Sequence, residues 1–138
     1  MSRVYIPTHL RRLVIVRAQE RCEFCRLHRD DSEFSHEVDH FIARKHGGLT
    51  IAENLVLTCL KCNRRKGSDL TAIDPIDHVI VPIFNPRTQN WSDHFSLVGP
   101  YFIGLTQTGR ATVTLLQLND ATQVRRREIL IAAGRFPG

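Results

Sequence analysis

No stretch of this chain approaches the roughly 18 consecutive apolar residues that a membrane-crossing helix needs, which excludes a bilayer-spanning protein of that kind. The opening residues, MSRVYIPTHLRR, carry charge but no uninterrupted apolar core and no small-residue cleavage site. No secretory signal is therefore expected, and a cytoplasmic location follows. Internal repeats and low-complexity linkers are also missing, so solenoid arrays and long tethers are excluded. What remains is a chain of 138 residues, 42% apolar and 24% charged. That length and balance suit an ordinary globular domain and leave little room for two independent cores.

Cysteine is scarce, but its four positions are informative. Cys22 and Cys25 form one C-x-x-C, and Cys59 and Cys62 form another. In a reducing compartment disulfides do not persist, so a metal site explains the pair better. Two such knuckles present four thiolates tetrahedrally to Zn²⁺, and a structural zinc is expected. A single C-x-x-C would be equally compatible with redox chemistry.

The formal charge is +5 and the isoelectric point about 9.4. An occupied four-thiolate zinc site carries about −2, which brings the folded charge nearer about +3 and weakens any argument from overall basicity. Distribution says more. Arg44 and Lys45 are adjacent, Arg64, Arg65 and Lys66 are consecutive, and Arg125, Arg126 and Arg127 form a third run. Such runs are ordinarily solvated faces. The first two flank the residues that carry chemistry, which favours phosphate contact for them.

Thr8, after Pro7, can cap a helix reaching Gln19 or Glu20, although Leu13-Val14-Ile15-Val16 reads equally well as a strand. Residues 26–35 are polar and acidic and read as a surface loop. Glu37–Ile42 reads as a short strand, Gly47-Gly48 as a break, Leu55-Val56-Leu57 as a second strand, and Leu60–Lys66 as a helix closed by Gly67. Further on, Val79–Phe84, Phe95–Val98, Tyr101–Leu105 and Ala111–Leu118 read as strands, with Thr108-Gly109 suggesting a hairpin between the last two. Asn119 or Asp120 can cap a final helix reaching Ala133, with Gly134 at its end.

Residues 38–67, VDHFIARKHGGLTIAENLVLTCLKCNRRKG, closely resemble the HNH nuclease motif. That family sets two short antiparallel strands and a helix around one divalent cation. The matching positions here are Asp39-His40, Asn54 and Asn63, with Asn54 and Asn63 following His40 by 14 and 23 residues. The chemistry suits these residue types. Cleaving a phosphodiester needs an activated water, stabilisation of developing charge and protonation of the leaving oxygen. A neutral imidazole can accept the water's proton, and oxygen donors such as Asp39 and the Asn63 amide suit a hard cation. Neighbours on a strand point to opposite faces, so Asp39 and His40 share a site only if the strand ends or twists there.

The resemblance implies that His40 is the general base and that Asp39 and Asn63 hold the catalytic cation. It implies further that Asn54 braces the loop through backbone hydrogen bonds. The commonest motif has a second histidine where this chain has Asn63; an amide oxygen there hardens the site towards Mg²⁺ or Mn²⁺, distinct from the zinc. His46 can touch phosphate or buttress the loop, while His36, His78 and His94 lack ligand spacing. Trp91 and Phe95 read as packing anchors. Arg87 and Arg110 read either as DNA contacts or as buried partners of acidic residues.

The expected architecture is α+β. A ββα-metal core with a zinc knuckle occupies residues 1–70, and a β-rich extension with a C-terminal helix occupies 71–138, packed as one unit. The expected activity is metal-dependent hydrolysis of DNA, with RNA a second acceptable polyanion and a homodimer compatible with the sequence. Arg44, Lys45, Arg64, Arg65 and Lys66 are the expected nucleic-acid contacts. The competing readings are a non-catalytic zinc-ribbon module that binds nucleic acid, and a structural zinc protein whose partner is another protein. No recognition helix identifies a target sequence.

Overall fold

The computed structural model describes residues 5–137 and divides into two compact units, Met1–Asn63 and Arg64–Gly138. Helix and strand are mixed; among the described residues every sheet has two strands and no helix is long and apolar enough to cross a membrane.

In the first unit α1 spans Thr8–Arg17, which settles the Leu13–Val16 ambiguity in favour of helix. Thr8 is the first helical residue rather than its cap. Pro7 takes the capping position without a side-chain hydrogen bond, and its carbonyl oxygen accepts from the Leu10 and Arg11 amides. The helix stops earlier than expected because Gln19 and Glu20 both turn left-handed, at φ 56° and 62°. That conformation is costly for residues with a Cβ, and here it leads the chain into the first cysteine knuckle. The polar stretch that follows contains a 3-10 turn at Arg29–Asp31, capped by His28.

β1 (Glu37–His40) pairs antiparallel with β2 (Leu55–Thr58), in the register Val38↔Leu57, Asp39↔Val56 and His40↔Leu55. The strand ends at His40, two residues before the expected Ile42. All four residues of β2 are buried, and Leu55, Leu57 and Val38 pack with Ile6, Val14 and Ala18 into the core beneath α1. Burying each such valine, leucine or isoleucine side chain stabilises the fold by about 1.5–3 kcal/mol. α2 (Leu60–Lys66) starts in the second knuckle and ends at Gly67, whose φ of 52° no β-carbon would easily adopt.

In the second unit β3 (Thr71–Ile73) pairs with β4 (Ile80–Pro82), α3 (Trp91–His94) follows, and β5 (Phe95–Val98) pairs with β6 (Tyr101–Gly104). The expected strand at Ala111–Leu118 is instead largely helix, α4 (Gln107–Leu115), and the expected hairpin at Thr108-Gly109 is its first turn. The β-branched run Thr112-Val113-Thr114 favours strand by propensity. The Thr106 hydroxyl overrides it by accepting the Gly109 amide at 2.9 Å, and Thr112 and Thr114 donate back to the carbonyl oxygens of Thr108 and Arg110 at 2.7 and 3.1 Å. Gly109 is not a turn former here. A β-carbon on it would lie 2.1 Å from the His94 carbonyl oxygen, so glycine permits a close backbone crossing.

α5 (Ala121–Ala132) starts at Asp120, whose carboxylate accepts the Gln123 amide at 2.8 Å. Asn119, the other candidate cap, pairs instead with both backbone groups of Phe102 at 2.8 Å. Trp91 packs against Phe95 and Phe102 as an anchor. Arg110 is a partner of acidic residues: it grips the fully buried Asp74 at 2.9 and 2.7 Å. Arg127, from the third basic run, is buried under carbonyl oxygens of Pro100 and Leu118, with its guanidinium 4.5 Å above the Phe102 ring.

Candidate functional site

The knuckles bring Cys22, Cys25, Cys59 and Cys62 together, all buried, with their four sulfurs within 4.8 Å of one another. Each knuckle turns its second amide onto its first sulfur, Cys25 N–H to Cys22 Sγ at 3.5 Å and Cys62 N–H to Cys59 Sγ at 3.4 Å. Across the knuckles the Cys25 and Cys59 sulfurs lie 3.7 Å apart. Hydrogen bonds from its three neighbours push Cys59 far below the ordinary thiol range, while Cys22 is pushed up, chiefly by burial. Four buried sulfurs with this spacing could hold a metal ion, whose charge would deprotonate them all. Among the described residues no other group of three or more His, Cys, Asp or Glu ligands gathers in this way.

Glu23, between the first two cysteines, ties that cluster to the sheet. Its amide donates to the Leu57 carbonyl oxygen at 2.9 Å, and its buried carboxylate accepts the Leu57 amide at 3.0 Å. The knuckle thus extends the edge of β2 opposite β1.

At the end of β1 the side chains alternate. His40 is buried with Val38, whereas Asp39 is 43% exposed. Termination at His40 lets the two meet: the His40 amide donates to Asp39 Oδ1 at 2.8 Å, and His40 Nδ1 lies 3.8 Å from the same oxygen. The other ring nitrogen, Nε2, is 2.8 Å from Thr50 Oγ1. Arg44 Nη1 donates to that hydroxyl at 3.3 Å. Burial lowers the His40 pKa, the Asp39 carboxylate opposes this, and the Arg44 guanidinium adds to it. The net direction favours the neutral imidazole that a proton acceptor requires.

Asn54 closes the loop between the strands. Its Oδ1 accepts the Ile42 amide at 2.9 Å, and its Nδ2 donates to the carbonyl oxygens of Ile42 and Leu49 at 3.0 and 2.9 Å. Its own carbonyl oxygen accepts the Phe41 amide at 2.8 Å. Arg17 reaches from α1 to the carbonyl oxygens of Ala52 and Leu55, fixing the turn that presents Asn54. Gly48 crosses so tightly that a β-carbon would lie 1.7 Å from the Ile42 carbonyl oxygen.

Asn63 is half-buried on α2, its backbone N–H donating to the Cys59 carbonyl oxygen at 2.9 Å. Among the described residues no hydrogen bond joins its side chain to Asp39 or His40. Residues 22–69 match the family model for HNH endonucleases. This segment is an HNH domain. All the cysteines and the polar residues of the loop fall inside it. The match supports a nuclease-type function; HNH nucleases use divalent metals and act on nucleic acids. The chain is also similar to the Septu protein PtuB of Bacillus thuringiensis, 25% identical over 130 residues, which cover 93% of this chain and 48% of that protein. It thus spans about half the length of this relative. No solved structure matches the chain.

The expected basic contacts separate. Arg44, Lys45 and Arg64 are exposed. Arg65 is spent internally, on Asp120 at 2.6 Å and on the carbonyl oxygens of Leu116 and Gln117, both at 3.1 Å. Lys66 is only 3% exposed, so it does not offer the free surface cation that a run of basic letters implied. Sequence reasoning missed Thr50. Its one signal is a hydroxyl residue just past the Gly47-Gly48 break, ten residues after His40.

Proposed function

We propose that this chain is an endonuclease that hydrolyses DNA phosphodiester bonds with one divalent cation. The observation that carries the reading is the Asp39-His40 pair: a buried imidazole at a strand end, 3.8 Å from an exposed carboxylate, within an HNH domain. In this reading His40 takes a proton from water as its oxygen bonds to phosphorus, the bond to the leaving oxygen breaks, and that oxygen takes up a proton from a solvent water. Asp39 and the Asn63 amide would hold the cation, and their oxygen chemistry fits Mg²⁺ or Mn²⁺. When bound, that ion would offset the charge that develops on the phosphate. Asn54 keeps the loop closed around the imidazole. Arg44 and Lys45 beside the site, and Arg64 on α2, would grip the backbone without reading sequence.

We assign Zn²⁺ to the four cysteines, because a soft, all-sulfur donor set selects it over the hard ions. The reduced thiols this requires suit the cytoplasm. RNA offers the same phosphates and would compete as substrate.

The test is cleavage of supercoiled, linear and single-stranded DNA with a panel of divalent ions, wild type against His40→Ala. Mg²⁺ or Mn²⁺ should support nicking that EDTA stops and that His40→Ala abolishes while the variant stays folded. Full cleavage by His40→Ala would refute the assignment. Salt-dependent binding without cleavage under any ion would make the chain a binding module instead.

A further inference from the structure

Among the described residues, Thr50 is the one polar side chain hydrogen-bonded to the His40 ring, and the proposed mechanism leaves it without a task. Its hydroxyl has one hydrogen to donate and two lone pairs to accept with. A guanidinium can only donate, so the bond from Arg44 Nη1 at 3.3 Å takes one lone pair. The remaining lone pair and the hydrogen are both available to His40 Nε2, 2.8 Å away. The far side of the ring decides between them. Nδ1 faces Asp39 Oδ1 at 3.8 Å, beyond hydrogen-bond range, and that oxygen already accepts the His40 amide at 2.8 Å. An Nδ1 hydrogen would therefore meet the Asp39 carboxylate only at longer range, by charge attraction rather than a formed bond. An Nε2 hydrogen finds Thr50 directly. The ring is 7% exposed, so the 2.8 Å bond to Thr50 sits in largely dry surroundings, where a hydrogen bond counts for more than in water.

We propose that Thr50 is the positioning residue of this site: its hydroxyl accepts the Nε2 hydrogen of His40, fixing the neutral tautomer whose lone pair is on Nδ1, beside Asp39. Thr50 acts through the imidazole and needs no contact with substrate. The claim about catalysis rests on the proposed nuclease reading, whereas the claim about the tautomer does not. Arg44 also gains a second role. By filling the other lone pair of Thr50, it holds the hydroxyl in place for the ring.

The experiment compares the full chain with Thr50→Val, which keeps the shape and loses the hydroxyl, and Thr50→Ser, which keeps the hydroxyl. The ¹⁵N shifts of the His40 ring, at about pH 8 where imidazole is neutral, report the tautomer without any turnover. Wild type and Thr50→Ser should show a protonated Nε2 and a bare Nδ1, and Thr50→Val should show a mixture. In plasmid cleavage Thr50→Val should lose about 10- to 100-fold in kcat with KM little changed, and Thr50→Ser should recover most of the rate. A wild-type ring protonated on Nδ1, or a Thr50→Val ring unchanged in tautomer, overturns the proposal. So does a cleaving wild type whose rate Thr50→Val leaves intact. A wild type that cuts nothing defeats the nuclease reading alone, and the ring shifts still decide the role of Thr50.

Discussion

The side chain of Asn54 and the backbone of Ile42 are joined twice, amide to Oδ1 at 2.9 Å and Nδ2 to carbonyl oxygen at 3.0 Å, like a rung of sheet between a side chain and a strand end. The pairing takes over where β1 stops. It satisfies backbone groups that would otherwise be stranded as the chain leaves the sheet.

Asn54→Ala should therefore cost about 2–4 kcal/mol, since it breaks three hydrogen bonds at a buried position. Thermal unfolding gives the total. Amide exchange at Ile42 localises it, because that N–H loses its acceptor; unchanged protection there would show that the bond does not form.

Gly47 and Gly48 are adjacent but predict opposite sensitivities. A β-carbon on Gly48 collides with the Ile42 carbonyl oxygen at 1.7 Å and with Asn54 Nδ2 at 2.9 Å, whereas one on Gly47 meets nothing within 4 Å. Gly48→Ala should destabilise by about 3 kcal/mol or more. Gly47→Ala should cost only about 1–2 kcal/mol, the strain of a left-handed residue at φ 92°. Equal melting temperatures for the two variants would contradict the close crossing.

Metal analysis of the purified chain should find one thiolate-bound ion, identified as zinc, lost together with its stabilising effect on treatment with a strong chelator. Such sites supply on the order of 10 kcal/mol of folding free energy. Cys59→Ser should weaken retention of the ion and lower the protection of the Leu57 amide, which bonds to Glu23 inside the knuckle. A chain that melts identically with and without chelator would remove the structural role.

Acid should weaken the second unit through Asp74. Hydrogen bonds from Arg110 hold this carboxyl well below the usual carboxylate range, against the opposing effect of burial. A group with a depressed folded pKa contributes stability that is complete above its unfolded value, about 4, and is lost as the pH falls towards the folded value. Asp74→Asn should accordingly be less stable than wild type at neutral pH, and the gap should narrow as acid is added below about pH 4. Melting curves of both proteins across that range check it; a gap that widens in acid has the wrong sign.

Local signals were the legible ones. Each C-x-x-C, α2 with its closing Gly67 and a cap at Asn119 or Asp120 depend on residues within one or two turns; the structure gives α2 as read and takes Asp120 of the two candidate caps. The strand Phe95–Val98 was equally local. The run from Ala111 misled because β-branched residues favour strand while a threonine cap and a glycine crossing enforce helix. Basic letters misled for a different reason. Arg64, Arg65 and Lys66 look alike in sequence, yet tertiary partners leave only the first as an exposed cation, and no periodicity announces Asp120 as the partner of Arg65. Thr50 could not be found from composition, since its importance lies in a distance to a ring ten residues away in sequence.

The four cysteines all lie in the first unit and the single tryptophan, Trp91, in the second. Each half thus has its own optical label. With cobalt bound to the four cysteines, thiolate absorption would follow one half while indole fluorescence follows the other. Superimposable melting curves from the two colours would mean a single cooperative transition, and separated curves would mean two.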